Sequence, residues 1–152
     1  MTITSKSFSE AQFTAATTIY NFFKEKGLTS EQACGIVAQA QGESSFNQKA
    51  IGDKDHAFGD FQLHMDRISI IKKGDGIDIH SLPSTLDQCA AVWYELNHSE
   101  HTALAKLKAT TNAYDAGSVF CEHYERPASS ADYVKRGNFA NDWQVYFMSL
   151  KN

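Results

Sequence analysis

The sequence predicts a mainly α-helical, α+β fold: a helical domain carrying a small β-hairpin or loop insertion that forms one wall of a cleft. Three observations predict it. Apolar residues recur at spacings of three and four through most of the 152 residues. Two early stretches open on capping boxes, the pattern in which a Ser or Thr side chain and a Gln or Glu three residues on satisfy each other's backbone N–H groups. Between about residues 47 and 60 the helical period vanishes and Gly and Asp crowd together.

Taken in order, Ser9-Glu10-Ala11-Gln12 starts a first helix whose buried face is Phe13, Ala16, Tyr20 and Phe23, stopped at Gly27. Thr29-Ser30-Glu31-Gln32 starts a second, with Ala33, Ile36, Val37 and Ala40 facing inward and an end near Gly42. Gly52, Asp53, Asp55, His56, Gly59 and Asp60 then predict a loop with a short hairpin. Asp66 to Ile71 makes a turn or two of helix before the loop signals Lys73-Gly74-Asp75-Gly76 and Leu82-Pro83-Ser84. Leu86, Ala90, Trp93 and Leu96 trace the next helix, Leu104 and Leu107 a shorter one, and Ala116, Val119, Phe120 and Tyr124 another, stopped before Pro127. A last helix is expected from about Ala131 to Phe147.

The length suits one domain, 1–152, with one core. A formal charge of −4 without any Lys/Arg run argues against nucleic acid as a partner. No apolar run is long enough to span a bilayer, and the first residues lack the pattern of a secretory signal, so synthesis in the cytoplasm is expected, with any export by another route. Cys34, Cys89 and Cys121 are odd in number and widely spaced, which predicts three small buried side chains rather than disulfides or a metal site. His98 and His101 beside Glu95 lack a third well-spaced ligand, and neither metal nor cofactor is expected.

The chemistry concentrates on Gln41-Gly42-Glu43-Ser44-Ser45-Phe46-Asn47 and, after it, Ala57-Phe58-Gly59-Asp60-Phe61-Gln62. Glu43 falls where the second helix gives out, an end at which a carboxylate is disfavoured by about 0.3 to 1 kcal/mol. Phe46, Phe58 and Phe61 are nearby apolar side chains able to exclude water and favour the protonated acid. A protonated carboxylic acid is what a glycosidic oxygen needs as proton donor.

These strings, with Gly27 to Val37 before them, Ala50-Ile51-Gly52-Asp53 and Leu63-His64-Met65-Asp66-Arg67 between and after, and Tyr94-Glu95-Leu96, Tyr124-Glu125-Arg126-Pro127-Ala128, Arg136 and Ala140 downstream, resemble the phage tail lysozyme family. That family belongs to the lysozyme-like superfamily of goose-type lysozymes and soluble lytic transglycosylases. The chain departs from its pattern at Asp60, where an apolar residue is usual, and at Leu63, often Trp.

The resemblance implies a lysozyme-like fold and a muramidase acting on peptidoglycan glycan strands, between N-acetylmuramic acid and N-acetylglucosamine. It implies action at the bacterial cell wall, in the periplasm or outside the cell, from a phage tail or another delivery assembly, and otherwise as a monomer. Glu43 is then the general acid. A hydrolase commonly needs a second carboxylate, about 5 to 5.5 Å away as nucleophile or about 6.5 to 9.5 Å away as base. Asp53 is preferred for it, with Asp60 and Asp55 behind. Ser45 and Asn47 are expected to shape the turn after Glu43 and approach substrate. Gln62 is expected to hold an N-acetyl or carbonyl group, and Asp60, His64 and Tyr124 to line the substrate site. Glu125 is read as a structural ion pair with Arg136 or Arg67, outside the chemistry. Hydrolysis and lytic transglycosylation both remain open, as does a non-catalytic glycan-binding or phage structural role.

Overall fold

The computed structural model describes residues 2–151. Among them are seven α-helices and one three-stranded sheet, with 65% of the chain helical. The helices are α1 (Glu10–Glu25), α2 (Ser30–Ser44), α3 (Met65–Asp75), α4 (Thr85–Leu96), α5 (His101–Lys108), α6 (Ala113–Phe120) and α7 (Ala131–Ser149). A 3-10 turn, Ile79–Ser81, precedes α4, and a single π turn, Cys121–Glu125, extends α6. The mainly helical fold with a small β insertion is therefore the one the sequence predicts.

Both predicted capping boxes are present in full. The Ser9 hydroxyl accepts from the Gln12 N–H and the Thr29 hydroxyl from the Gln32 N–H, while each Gln side chain accepts from its cap residue's N–H. Such caps stabilise a helix start by about 1 kcal/mol each. The second helix becomes the centre of the molecule. Every residue from Gln32 to Ala40 is buried, as a helix packed on all sides requires, against α1, α6 and α7. Gly117 makes part of this closeness possible, since a Cβ there would lie 2.4 Å from the Arg136 carbonyl oxygen in α7. Trp143 anchors α7 to the start of the chain, stacking on Phe8 at 5.2 Å and meeting Phe46 edge-on at 5.5 Å.

The predicted elements hold with shifted boundaries in two places. Helix α2 runs through Ser44 rather than ending at Gly42, because the αL residue that terminates it is Ser45 (φ 53°), with Phe46 also left-handed (φ 63°). Helix α3 covers Met65–Asp75, longer than the turn or two expected. The face predicted for α4 is corrected: Leu86 is 54% exposed, and the buried side is Thr85, Gln88, Cys89, Val92, Glu95 and Leu96. The apolar period misled there because this helix buries polar side chains that bond inward.

The insertion is a meander of two-residue strands, β1 (Ile51–Gly52), β2 (Ala57–Phe58) and β3 (Leu63–His64), antiparallel in that order. Ile51 pairs with Phe58, and Phe58 with Leu63. The β1–β2 turn carries Asp53, Lys54 and Asp55 all at positive φ. Short Gly/Asp-rich turns of this kind are what the loss of helical period foretold. The three cysteines are free and buried, as expected. Burial raises the thiol pKa of each, to about 12 for Cys121.

Candidate active site

Glu43 occupies the last turn of α2 with its side chain 24% exposed, so its carboxylate borders solvent without lying open to it. The chain beyond it is reversed by the two left-handed residues, and the bend is tied down on several sides. The Ser45 and Phe46 N–H groups return to the Gln41 and Ala40 carbonyls, and Gln12 in α1 donates to the Ser45 carbonyl. Ser44 donates to the Asp60 carbonyl at 2.8 Å, joining the end of α2 to the β insertion. Asn47 accepts from the Lys49 N–H, a turn-forming bond.

An arginine of α7 bonds the Glu43 carboxylate. Arg136 of α7 donates from Nη2 to Oε2 at 3.1 Å and from Nη1 to the buried Gln39 side chain at 2.9 Å. Arg136 is itself 7% exposed. It can lie across α2 because residue 42 is glycine: a Cβ there would stand 2.0 Å from its Nε. Glu125, at the end of the π turn, lies near enough for the Glu43 charge to act on it.

Glu125 is half-buried as a residue, and its Oε1 is enclosed without a hydrogen-bond partner. Burial pushes its pKa well above the carboxylate range. The Glu43 charge pushes it further in the same direction, while Arg67 and Arg136 pull it back. Arg67 and Arg136, the cations expected to pair with Glu125, act on it by charge while making their hydrogen bonds to Glu95, the Tyr124 carbonyl, Gln39 and Glu43. The extra residue of the π turn, closed by the Arg126 N–H to Cys121 carbonyl bond at 2.8 Å, sets where this side chain falls. Neighbouring Arg126 goes the other way, to Glu100 at 2.5 Å.

Behind Glu125 a polar cluster fixes the turn. Arg67 of α3 grips Glu95 of α4 through two 2.9 Å bonds and donates to the Tyr124 carbonyl at 3.1 Å. The Tyr124 hydroxyl donates to the same Glu95 at 2.5 Å, and the Arg67 guanidinium stacks 4.3 Å over the Tyr124 ring. Tyr124 has no exposed surface. It therefore has no face to offer a sugar, and its expected substrate contact is replaced by this internal role. Glu95 likewise turns inward, away from the exposed His98 and His101.

The remaining residues singled out from sequence scatter around this centre. Asp60 is fully buried, so the expected substrate contact is closed to it. Its N–H donates to Gln88 at 2.7 Å, but neither carboxylate oxygen has a well-formed hydrogen bond, although the Thr85 hydroxyl lies near. Burial pushes its pKa up to about 6. Gln62 donates to the Ala50 and Gly59 carbonyls, clasping the sheet from within. Asp53 sits exposed in the β1–β2 turn, 3.7 Å from the exposed His64 imidazole. Ser45 and Asn47 are exposed at the bend. Beside Gly42, Ser45 and Arg136 opens a pocket of about 340 Å³, also lined by Phe8, Lys135 and Phe139.

A mainly helical domain with a small β insertion is the architecture of a lysozyme-like fold. The chain belongs to the phage tail lysozyme family, whose model matches residues 14–147. A lysozyme-like, peptidoglycan-degrading activity and an association with phage go with that family. No curated protein matches the chain. Among the described residues no helix is long and apolar enough to cross a membrane.

Proposed function

We propose that the protein cleaves the glycosidic bond between N-acetylmuramic acid and N-acetylglucosamine, with Glu43 as the general acid that protonates the leaving oxygen. The observation that carries this reading is the position of Glu43: a side chain at the end of α2 that borders solvent and is held by the buried Arg136. Substrate reaches one side of such a carboxyl while the protein fixes the other, the arrangement in which a positioned acid contributes about 10²- to 10⁴-fold.

After the C–O bond breaks, the sugar cation is captured either by water or by the muramic acid's own C6 hydroxyl. Asp53 is proposed as the carboxylate that orients water in the first case. It is the solvent-facing Asp of the hairpin, whereas Asp60 is sealed inside. In the second case no second carboxylate is required.

Glu43→Gln should abolish clearing of purified peptidoglycan while the far-ultraviolet circular dichroism stays that of the wild type. Equal activity in the two proteins would end the enzymatic reading and leave a glycan-binding or structural one. Mass spectrometry of the digest separates the two chemistries, because an anhydro product is lighter by one water. Loss of activity in Asp53→Asn with reducing-end products supports hydrolysis. Anhydro ends as the sole product would remove it.

A further inference from the structure

Arg136 belongs to two places at once. Its Nη2 bonds Glu43 at 3.1 Å, and the same side chain forms part of the wall of the pocket of about 340 Å³ between the end of α2 and the start of α7. That volume falls in the range of small-ligand sites, about 300 to 1,000 Å³. Asp132, Lys135, Arg136 and Phe139 line it from α7 at spacings of three and four, which puts them on one helix face. Gln41, Gly42 and Ser45 line it from the end of α2, and Phe8 from the first segment of the chain. Pocket and proposed acid are joined through one guanidinium.

The lining carries more donors than acceptors, and several are unspent. Gln41 accepts from the Trp143 indole through Oε1, while its amide N–H groups make no hydrogen bond among the described residues. The Ser45 hydroxyl is likewise unbonded, and the exposed Lys135 has no ion pair among the described residues. Arg136 adds a second positive charge to the wall and Asp132 a single negative one. Phe8 and Phe139, both half-buried, supply the apolar surface. Free donors, an excess of positive charge and two aromatic rings suit a ligand with a carboxylate, amide carbonyls and a little apolar surface, which is the chemistry of a short acidic peptide.

We propose that this pocket holds the acidic peptide arm of muramic acid, with Lys135 as the specificity-determining residue that meets the arm's carboxylate. The inference rests on the reading of peptidoglycan as a substrate cut beside Glu43. The arm leaves muramic acid through the lactyl ether at C3, on the same ring whose C1–O bond is cut. A protein that cuts that bond must therefore find room for the arm close to its acid. A pocket that shares Arg136 with Glu43, and that is walled by Gly42 and Ser45 on the same helix end, gives that room. Seating the arm supplies binding away from the reacting atoms and turns the ring toward Glu43.

The test is steady-state cleavage of soluble, uncrosslinked glycan strands in two forms, one with its peptides and one stripped by an amidase, which leaves the bare lactyl carboxylate. Wild type should cut the peptide-bearing strands with a kcat/KM about tenfold higher or more. Lys135→Glu should raise KM for those strands about three- to tenfold, with a smaller effect on kcat, and the gap should narrow as salt rises from about 0.05 to about 0.5 M. Equal KM in the two proteins would overturn the proposal, as would a wild type that cuts both kinds of strand equally well. A lysine effect of the same size on stripped strands would assign the pocket to the lactyl group and overturn the peptide reading.

Binding without turnover separates the pocket from the assignment of the acid. Glu43→Gln, titrated calorimetrically with a peptide-bearing N-acetylglucosaminyl-muramoyl disaccharide, should bind about three- to tenfold more tightly than the same protein carrying Lys135→Glu as well. An inactive Glu43→Gln with equal binding in the two would spare the acid and overturn the pocket. An active Glu43→Gln with the Lys135 effect intact would remove the acid and support the pocket.

Discussion

A carboxyl taken out of water is governed by what replaces that water, and this molecule gives its buried acids different replacements. Glu95 has a guanidinium fork and a tyrosine hydroxyl, Glu125 has the charges of Arg67 and Arg136 nearby but an unbonded Oε1, and Asp60 has almost nothing. The sign of the Asp60 effect follows. Its folded pKa, about 6, lies above the value of about 3.9 for an unfolded Asp, so the folded state binds the proton more tightly. Stability is then intact below the unfolded value, falls as pH rises between the two, and is lower by up to roughly 3 kcal/mol once both states are ionised. Asp60→Asn should match the wild type near pH 4 and exceed it by about 1 to 3 kcal/mol at pH 8, as read from urea unfolding at each pH. At this scale the sequence was legible for the place of Glu43 at the end of α2, because an apolar period stops there. It was not legible for Glu125, which follows Tyr124 in what reads as an ordinary helix stop before Pro127. The one-residue register change of the π turn that carries Glu125 is announced by no side-chain period.

At the scale of elements, α2 gathers the site through Gln39, Gln41 and Glu43, which bond to Arg136, Trp143 and Arg136 respectively. Alternating polar residues on one helix thus meet one neighbouring helix, α7. Gly42 sits among them as the gap through which the guanidinium passes. Gly42→Ala should leave α2 helical, and even favour it by about 1 kcal/mol of propensity, while forcing Arg136 off Glu43. The expected outcome is a clearing rate reduced at least about tenfold with a melting temperature close to that of the wild type, measured side by side; a fully active variant would contradict the role given to Arg136. The helix starts were readable from capping residues because a cap is local chemistry. The end of α2 and the buried face of α4 were not, since they depend on Ser45 adopting a conformation usually left to glycine and on Gln88 and Glu95 finding partners far along the chain.

Across the whole molecule, the Arg67–Glu95–Tyr124 cluster links α3, α4 and the π turn, and so holds the far side of the site. Breaking one member of such a buried set costs about 3 to 5 kcal/mol, because the remaining charge has no water to return to. Arg67→Met should lower stability by that amount in chemical denaturation. Changing Arg67 and Glu95 together to apolar residues should recover part of it, and a single variant as stable as the wild type would contradict the burial argument. The architecture itself was legible because apolar spacing reports layers. The cluster was not, because its members lie 28 and 29 residues apart and meet only once the helices are packed.

The three free thiols of the interior bear on where such a molecule can work. A thiol attacks a disulfide as its anion and only when it can be reached. Cys34, Cys89 and Cys121 fail on both counts, being sealed inside the fold and held protonated there. The fold accordingly needs no disulfide and offers no reachable thiolate for disulfide exchange, in a reducing cell interior as in the oxidising surroundings of a bacterial envelope.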